Sequence, residues 1–143
     1  AAILLDASAG LHSGGEEVIS RATGSEALNA LISFHVEFAL DNADVIRVQD
    51  RDLEQLPESD LHTVRALQRR YVELWVDVLA ELHPHADRAV LRTRAHAVFG
   101  LLNSTPHSGL SLDRVALRAE LERMALAALA RTTRHGRGAG GLC

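Results

Sequence analysis

The stretch Leu28-Asn29-Ala30-Leu31-Ile32-Ser33-Phe34-His35-Val36-Glu37-Phe38-Ala39 decides the fold class. Leu28, Leu31, Ile32, His35, Phe38 and Ala39 recur in steps of three and four, which places them on one face of an α-helix. Phe34 borders that stripe. Asn29, Ser33 and Glu37 lie opposite, on the side expected to meet water. Ser25 is a residue type that caps helix N-termini, so the helix is expected from Ser25 to Asp41 or Asn42.

The same period continues in both directions. Upstream, Ile3, Leu4, Leu11, Val18 and Ile19 outline a helix from Ala1 to about Ala22, ended by Thr23-Gly24. Gly10, Gly14 and Gly15 each weaken it by roughly 1 kcal/mol relative to Ala, and the sequence offers no reason for them. Downstream, Asp41-Asn42-Ala43-Asp44 is a break. A short helix over Ala43 to Val48 follows, and then a charged connector over Gln49 to Pro57. A long helix runs from Glu58 or Ser59 to about His83, striped by Leu61, Val64, Leu67, Tyr71, Leu74, Trp75, Val78 and Leu82. In it Arg69–Glu73 is a weakly favourable pair and Glu73–Asp77 a weakly unfavourable one. His83-Pro84 stops it, because the residue before Pro avoids the α region. Further helices are expected over Asp87 to Asn103 or Ser104 and Asp113 to about Thr132. Residues 133–143, with four Gly, read as a flexible tail. The expectation is an all-α bundle of five to six helices without strands, one domain over 1–132.

Composition agrees and excludes several classes. Of 143 residues, 23 are Leu and 22 are Ala, both good helix formers, which argues against an all-β fold. All 15 basic residues are Arg and the formal net charge is -4, which argues against electrostatic nucleic-acid binding by the chain as a whole. No apolar run approaches the ~18–20 residues of a membrane span. Cys143 is the single cysteine, so no internal disulfide and no cysteine-based metal site are expected. Ala1-Ala2-Ile3-Leu4-Leu5 begins inside an apolar pattern, as a helix entered part-way along a longer protein would.

Eight His are scattered without a His-x-x-x-His or Glu-x-x-His pair on one helix face, so no metal and no cofactor are expected. A nucleophile elbow, a P-loop and a dinucleotide-binding glycine pattern are absent, and no enzyme is expected. The basic run Arg131 to Arg137 could touch nucleic acid, but without aromatics or a structured frame a solvated tail is the favoured reading. Of five aromatic residues, four form the i, i+4 pairs Phe34/Phe38 and Tyr71/Trp75, and the fifth is Phe99. They are either plain core or the lining of a cavity between helices, and His35 on the apolar face is either a hydrogen-bonded core residue, the favoured reading, or a polar anchor in that cavity. Arg47, Arg69 and Arg70 are candidates for an anionic ligand, Arg69 reading as water-facing. On the last two helices, Ala95, Val98 and Leu102 form one apolar stripe, widened by Ala97 and Leu101. Leu121, Met124, Ala125, Ala128 and Leu129 form another. Wide apolar faces with small residues favour a four-helix interface between two copies over a purely internal core.

Three segments resemble one family. Phe34-His35-Val36-Glu37-Phe38-Ala39-Leu40, with Ile46 to Leu53 and Leu56-Pro57, is similar to a stretch of tetracycline-repressor (TetR) family regulators. So is Leu67-Gln68-Arg69-Arg70-Tyr71-Val72-Glu73-Leu74-Trp75. The most distinctive run, Ala95-His96-Ala97-Val98-Phe99-Gly100-Leu101-Leu102-Asn103-Ser104-Thr105-Pro106-His107, resembles an actinobacterial subgroup. The resemblance implies an effector-binding and dimerisation domain of a cytoplasmic repressor. It implies a homodimer, with operator DNA read by a helix-turn-helix head upstream and residues 1–22 as the linking helix. It also implies that a small effector between the helices lowers operator affinity. Phe34, His35, Phe38, Arg47, Arg70, Tyr71, Trp75, Phe99 and Asn103 are the candidate ligand residues. An apolar cavity with Arg47 or Arg70 at its mouth suits an acyl chain with an anionic head, as in acyl-CoA. The contrasting reading is a helical interaction module without a small-molecule ligand.

Overall fold

The computed structural model describes residues 2–104 and 112–131. Among them are six helices and no strand: α1 (Ala2–Arg21), α2 (Gly24–Asp41), α3 (Ala43–Leu53), α4 (Glu58–Leu82), α5 (Arg88–Ser104) and α6 (Arg114–Ala130). The loop expected after Ser104, with His107, and the tail from residue 133 lie outside the described residues.

Helix α2 is the centre. It touches α1, α4, α5 and α6, and α3 follows it directly. Its Leu28, Leu31, Ile32 and Val36 meet Val72, Trp75, Val76 and Leu79 of α4 in one buried cluster. Leu91, Ala95, Val98 and Leu102 of α5 join it, as do Leu121, Ala125 and Leu129 of α6. Because α2 is surrounded, its supposed outer side is not simply solvated. Arg118 of α6 donates to the Ser33 hydroxyl at 2.8 Å and sits 3.8 Å from Glu37.

The helix ends follow from local chemistry. Thr23, not Ser25, occupies the N-cap of α2, and Gly24 takes the left-handed φ of +59° that L side chains resist. Asn42 ends α2 with its backbone N–H and side-chain amide both donating to the Phe38 carbonyl at 2.9 Å. Asp113 caps α6 by accepting from the Ala116 N–H at 2.8 Å. At the far end of α4, His83 is buried and donates from Nε2 to the Leu129 carbonyl at 2.7 Å, tying α4 to the end of α6. Helix α3 runs on to Leu53 instead of stopping near Val48. Its half-buried Val45, Ile46, Val48, Gln49 and Leu53 recur at helical spacing, while Arg47 and Arg51 are exposed on its outer face.

The α4–α5 seam resolves the charge pattern of α4. Arg88 donates to Glu73 and to Asp77, each at 2.8 Å, and Arg92 donates to Glu73 at 2.6 and 2.8 Å. The like-charged Glu73–Asp77 pair is thus bridged by a cation from α5. Glu73 pairs with α5 and not with Arg69. The guanidinium groups of Arg92 and Arg88 hold the Glu73 carboxyl below its ordinary range.

The glycines of α1 sit at helix crossings. A Cβ on Gly14 would overlap Cζ and Cε2 of the Phe34 ring on α2. One on Gly15 would stand 3.1 Å from Tyr71 Cε2 and Leu74 Cδ1 on α4. Gly10 faces open space. The substitutions should therefore have opposite signs. Gly10→Ala is expected to stabilise by about 0.5–1 kcal/mol through helix propensity. Gly14→Ala is expected to destabilise by about 1–2 kcal/mol, the strain of overpacking exceeding the same gain. Urea midpoints at constant slope measure both.

Candidate functional site

Three residues from three helices form a polar chain inside this apolar frame. His35 lies on the buried face of α2, one residue beyond Phe34. Tyr71 lies in the middle of α4 and Asn103 in the last turn of α5. His35 Nδ1 is 2.8 Å from the Tyr71 hydroxyl, and His35 Nε2 is 2.9 Å from Asn103 Oδ1. An amide oxygen only accepts, so Nε2 carries the imidazole proton and donates to Asn103. Nδ1 then accepts from the Tyr71 O–H. Every polar atom of the buried imidazole is satisfied in its neutral form.

Burial sets the protonation states. It lowers the His35 pKa from 6.5 to about 4, against a smaller upward pull from Asn103. It pushes the Tyr71 phenol above its ordinary range. His35 is therefore neutral near pH 7, and Tyr71 keeps the proton it donates.

Aromatic rings wall the chain. Phe99 stacks on His35 at 5.1 Å and on Tyr71 at 5.7 Å, and meets Trp75 edge-on at 5.0 Å. These separations lie in the favourable range for ring pairs. Trp75 is fully buried behind them. Its indole N–H acts on the Tyr71 oxygen, opposing the rise in the phenol's pKa, without closing a hydrogen bond.

In front of the rings is a cavity of about 230 Å³. Tyr71, Phe99, His35 and Asn103 form its inner wall, and Leu67, Val72 and Gln68 of α4 continue it. Ser8 and Leu11 close it from α1, Gln49 from α3 and His96 from α5. It shares Gln68, Val72 and His96 with a wider surface groove of about 870 Å³ between α1, α4 and α5.

The expected site residues separate on this geometry. His35, Tyr71, Phe99 and Asn103 come together in the cavity wall, and Trp75 stands behind it. Phe34 is half-buried against Gly14 of α1, and Phe38 is half-buried on α2 outside the cavity lining. Arg47 is exposed and lines neither cavity nor groove. Arg70 is exposed and lines the groove. Ser8, Leu11, Gln49, Leu67, Gln68, Val72 and His96 are contributions that the sequence reading did not select.

The residues expected at a dimer interface divide as well. Ala95, Val98, Leu102, Leu121 and Ala125 are buried in the chain's own core, whereas Met124 and Ala128 are exposed. Exposed apolar groups of the last two helices also include Val90, Ala97 and Gly100 of α5 and Ala127 of α6. No group of three or more His, Cys, Asp or Glu able to hold a metal occurs among the described residues. No helix among them is long and apolar enough to cross a membrane.

A cavity between the helices of an all-helical body is a usual place for a small-molecule site. Residues 21–107 match the tetracyclin repressor-like, C-terminal domain family, and the chain belongs to that family. The match takes in α2 to α5, which supply every inner-wall residue of the cavity. No curated protein matches the chain.

Proposed function

We propose that the chain senses a small, mainly apolar effector with a polar end, and that it does so as a homodimer, as part of a cytoplasmic transcriptional repressor. The observation that carries the reading is the neutral Tyr71–His35–Asn103 chain set in the aromatic wall of the cavity. The chain keeps the inner wall neutral and hydrogen-bonded within itself, so an apolar ligand chain can lie against it, covered by Leu11, Leu67, Val72 and Phe99, with the polar end toward the cavity mouth. No catalytic step is assigned to it.

The effector signal passes through α1. Ser8 and Leu11 of α1 line the cavity directly, so an occupant touches the helix that would lead to a DNA-reading head. Occupancy favours one placement of α1 over another, and operator affinity falls to the extent that the two placements bind ligand differently. The coupling is reciprocal, so operator DNA weakens effector binding by the same factor. Acyl-CoA thioesters are the proposed effector class. Titration with a chain-length series, followed by Trp75 emission, tests it. A saturable change at one range of lengths supports the class, and no change at any length rejects it.

The dimer uses the outer face of the last two helices. Leu121, Ala125 and Leu129 of α6 serve the core while Met124, Ala127 and Ala128 face outward, so α6 is apolar on more than one side. With Val90, Ala97 and Gly100 of α5 this surface meets its copy about a two-fold axis. Met124→Glu is expected to shift the chain from dimer to monomer at micromolar concentration in light scattering. A wild-type monomer, or a variant that stays dimeric, contradicts this interface.

A further inference from the structure

The groove outside the cavity is unevenly charged. Its three carboxylates all have a basic partner within ion-pair distance. Glu16 lies 3.0 Å from His12, Glu73 is held by Arg88 and Arg92, and Asp77 by Arg88. Its other cations are different. Arg65, Arg69 and Arg70 line the groove, are exposed, and make no ion pair or side-chain hydrogen bond among the described residues. Arg65 and Arg69 are one helical turn apart on α4, so their guanidinium groups rise from neighbouring positions on one face. The turn that carries them leads through Gln68 to Val72, both shared with the cavity.

Size points the same way. At about 230 Å³ the cavity is smaller than the ~300–1,000 Å³ of ordinary ligand sites. A molecule that fills it with an apolar chain must leave its remainder in the groove, beside arginines without counterions. Arginine suits that remainder when it is a phosphate, because the planar guanidinium donates in pairs to phosphate oxygens. The opposite wall is α1, through His12 and Glu16, so a group held there spans the same two helices as the buried part.

We infer that the groove and cavity are one site for a phosphate-bearing amphiphile, its alkyl chain in the cavity and its phosphate on Arg65 and Arg69. This rests on the sensing role proposed above and adds to it the residues that hold the head group. Arg70, already a candidate from sequence, is a third donor at the same wall; Arg47 has no part.

Three probes test it by calorimetry on the whole chain: octyl phosphate, octanol and inorganic phosphate. Octyl phosphate should bind at least tenfold more tightly than octanol, and the advantage should shrink as salt is raised, since the arginines are exposed. In the double variant Arg65→Gln/Arg69→Gln the advantage should vanish while octanol binding stays unchanged. That unchanged binding also shows that the variant is folded. Equal binding of octanol and octyl phosphate to the wild type, or an advantage that survives the double variant, overturns the phosphate site and leaves the sensing role standing. Inorganic phosphate binding as tightly as octyl phosphate overturns the single-site inference, because the cavity then adds nothing. Failure of both alkyl probes to bind overturns the sensing role and this inference with it.

Discussion

Lowering the pH from 7 to below 4 is expected to remove about 3 kcal/mol of folding stability through His35 alone. The imidazole titrates near 6.5 in the unfolded chain and near 4 in the folded one. Between those values the unfolded state binds the proton and the folded state does not, so stability rises with pH across the window. It is complete above 6.5 and is lost as pH falls through 4. The cause is burial: the charged imidazolium would lie away from water, and the Tyr71 hydroxyl would have to turn from donor to acceptor toward Nδ1. Carboxylates throughout the chain also titrate at these pH values, so the informative quantity is a difference. His35→Leu should be less stable than wild type at pH 7, because Tyr71 and Asn103 lose their partner. Its stability should nevertheless fall less, by about 3 kcal/mol, between pH 7 and 4. Urea unfolding at several pH values measures this. Parallel stability curves for the two proteins would refute the neutral, buried imidazole.

Trp75→Ala should cost about 3–5 kcal/mol, the usual range for emptying a fully buried large aromatic position. Trp75 is completely enclosed and touches His35, Tyr71 and Phe99 at ring separations of 5.0 to 6.3 Å. Removing it takes away the support of the cavity's inner wall. Domains of this size are stable by only about 5–15 kcal/mol, so the variant should be near unfolding at 37 °C. Trp75→Phe should recover most of the loss. The ring contacts largely return, and the indole N–H had no hydrogen bond to lose. Thermal unfolding of the three proteins checks the order wild type, Trp75→Phe, Trp75→Ala.

Local periodicity made the helices legible. The α2 stripe and the ends of α4 and α5 lie where spacing, His83-Pro84 and Asp87 place them. The resemblance and the aromatic spacing also singled out His35, Tyr71, Phe99 and Asn103. What was not legible depends on contacts distant in sequence. His35 is 36 residues from Tyr71 and 68 from Asn103, so nothing local announces the hydrogen bonds that make it neutral. The glycines of α1 look like defects until Phe34 and Tyr71 are seen to press on them. The stripe Ala95, Val98 and Leu102 is apolar whether it faces the chain's own core or another copy. Periodicity identifies such a face and not its occupant, and here the core has taken it. Arg65 carried no distinguishing pattern at all. Its interest arises only because the nearby acids are committed to Arg88, Arg92 and His12.

An apolar ligand is expected to occupy the cavity walled by Tyr71, Phe99 and Asn103. Calorimetric titration of octanol into the wild-type chain and into Leu67→Trp tests it most directly, because Leu67 lines the cavity and a larger ring there fills it. Saturable binding to the wild type is expected, with at least a tenfold loss of affinity in a variant that remains helical by circular dichroism. Equal binding to both proteins, or no binding to the wild type, would contradict it.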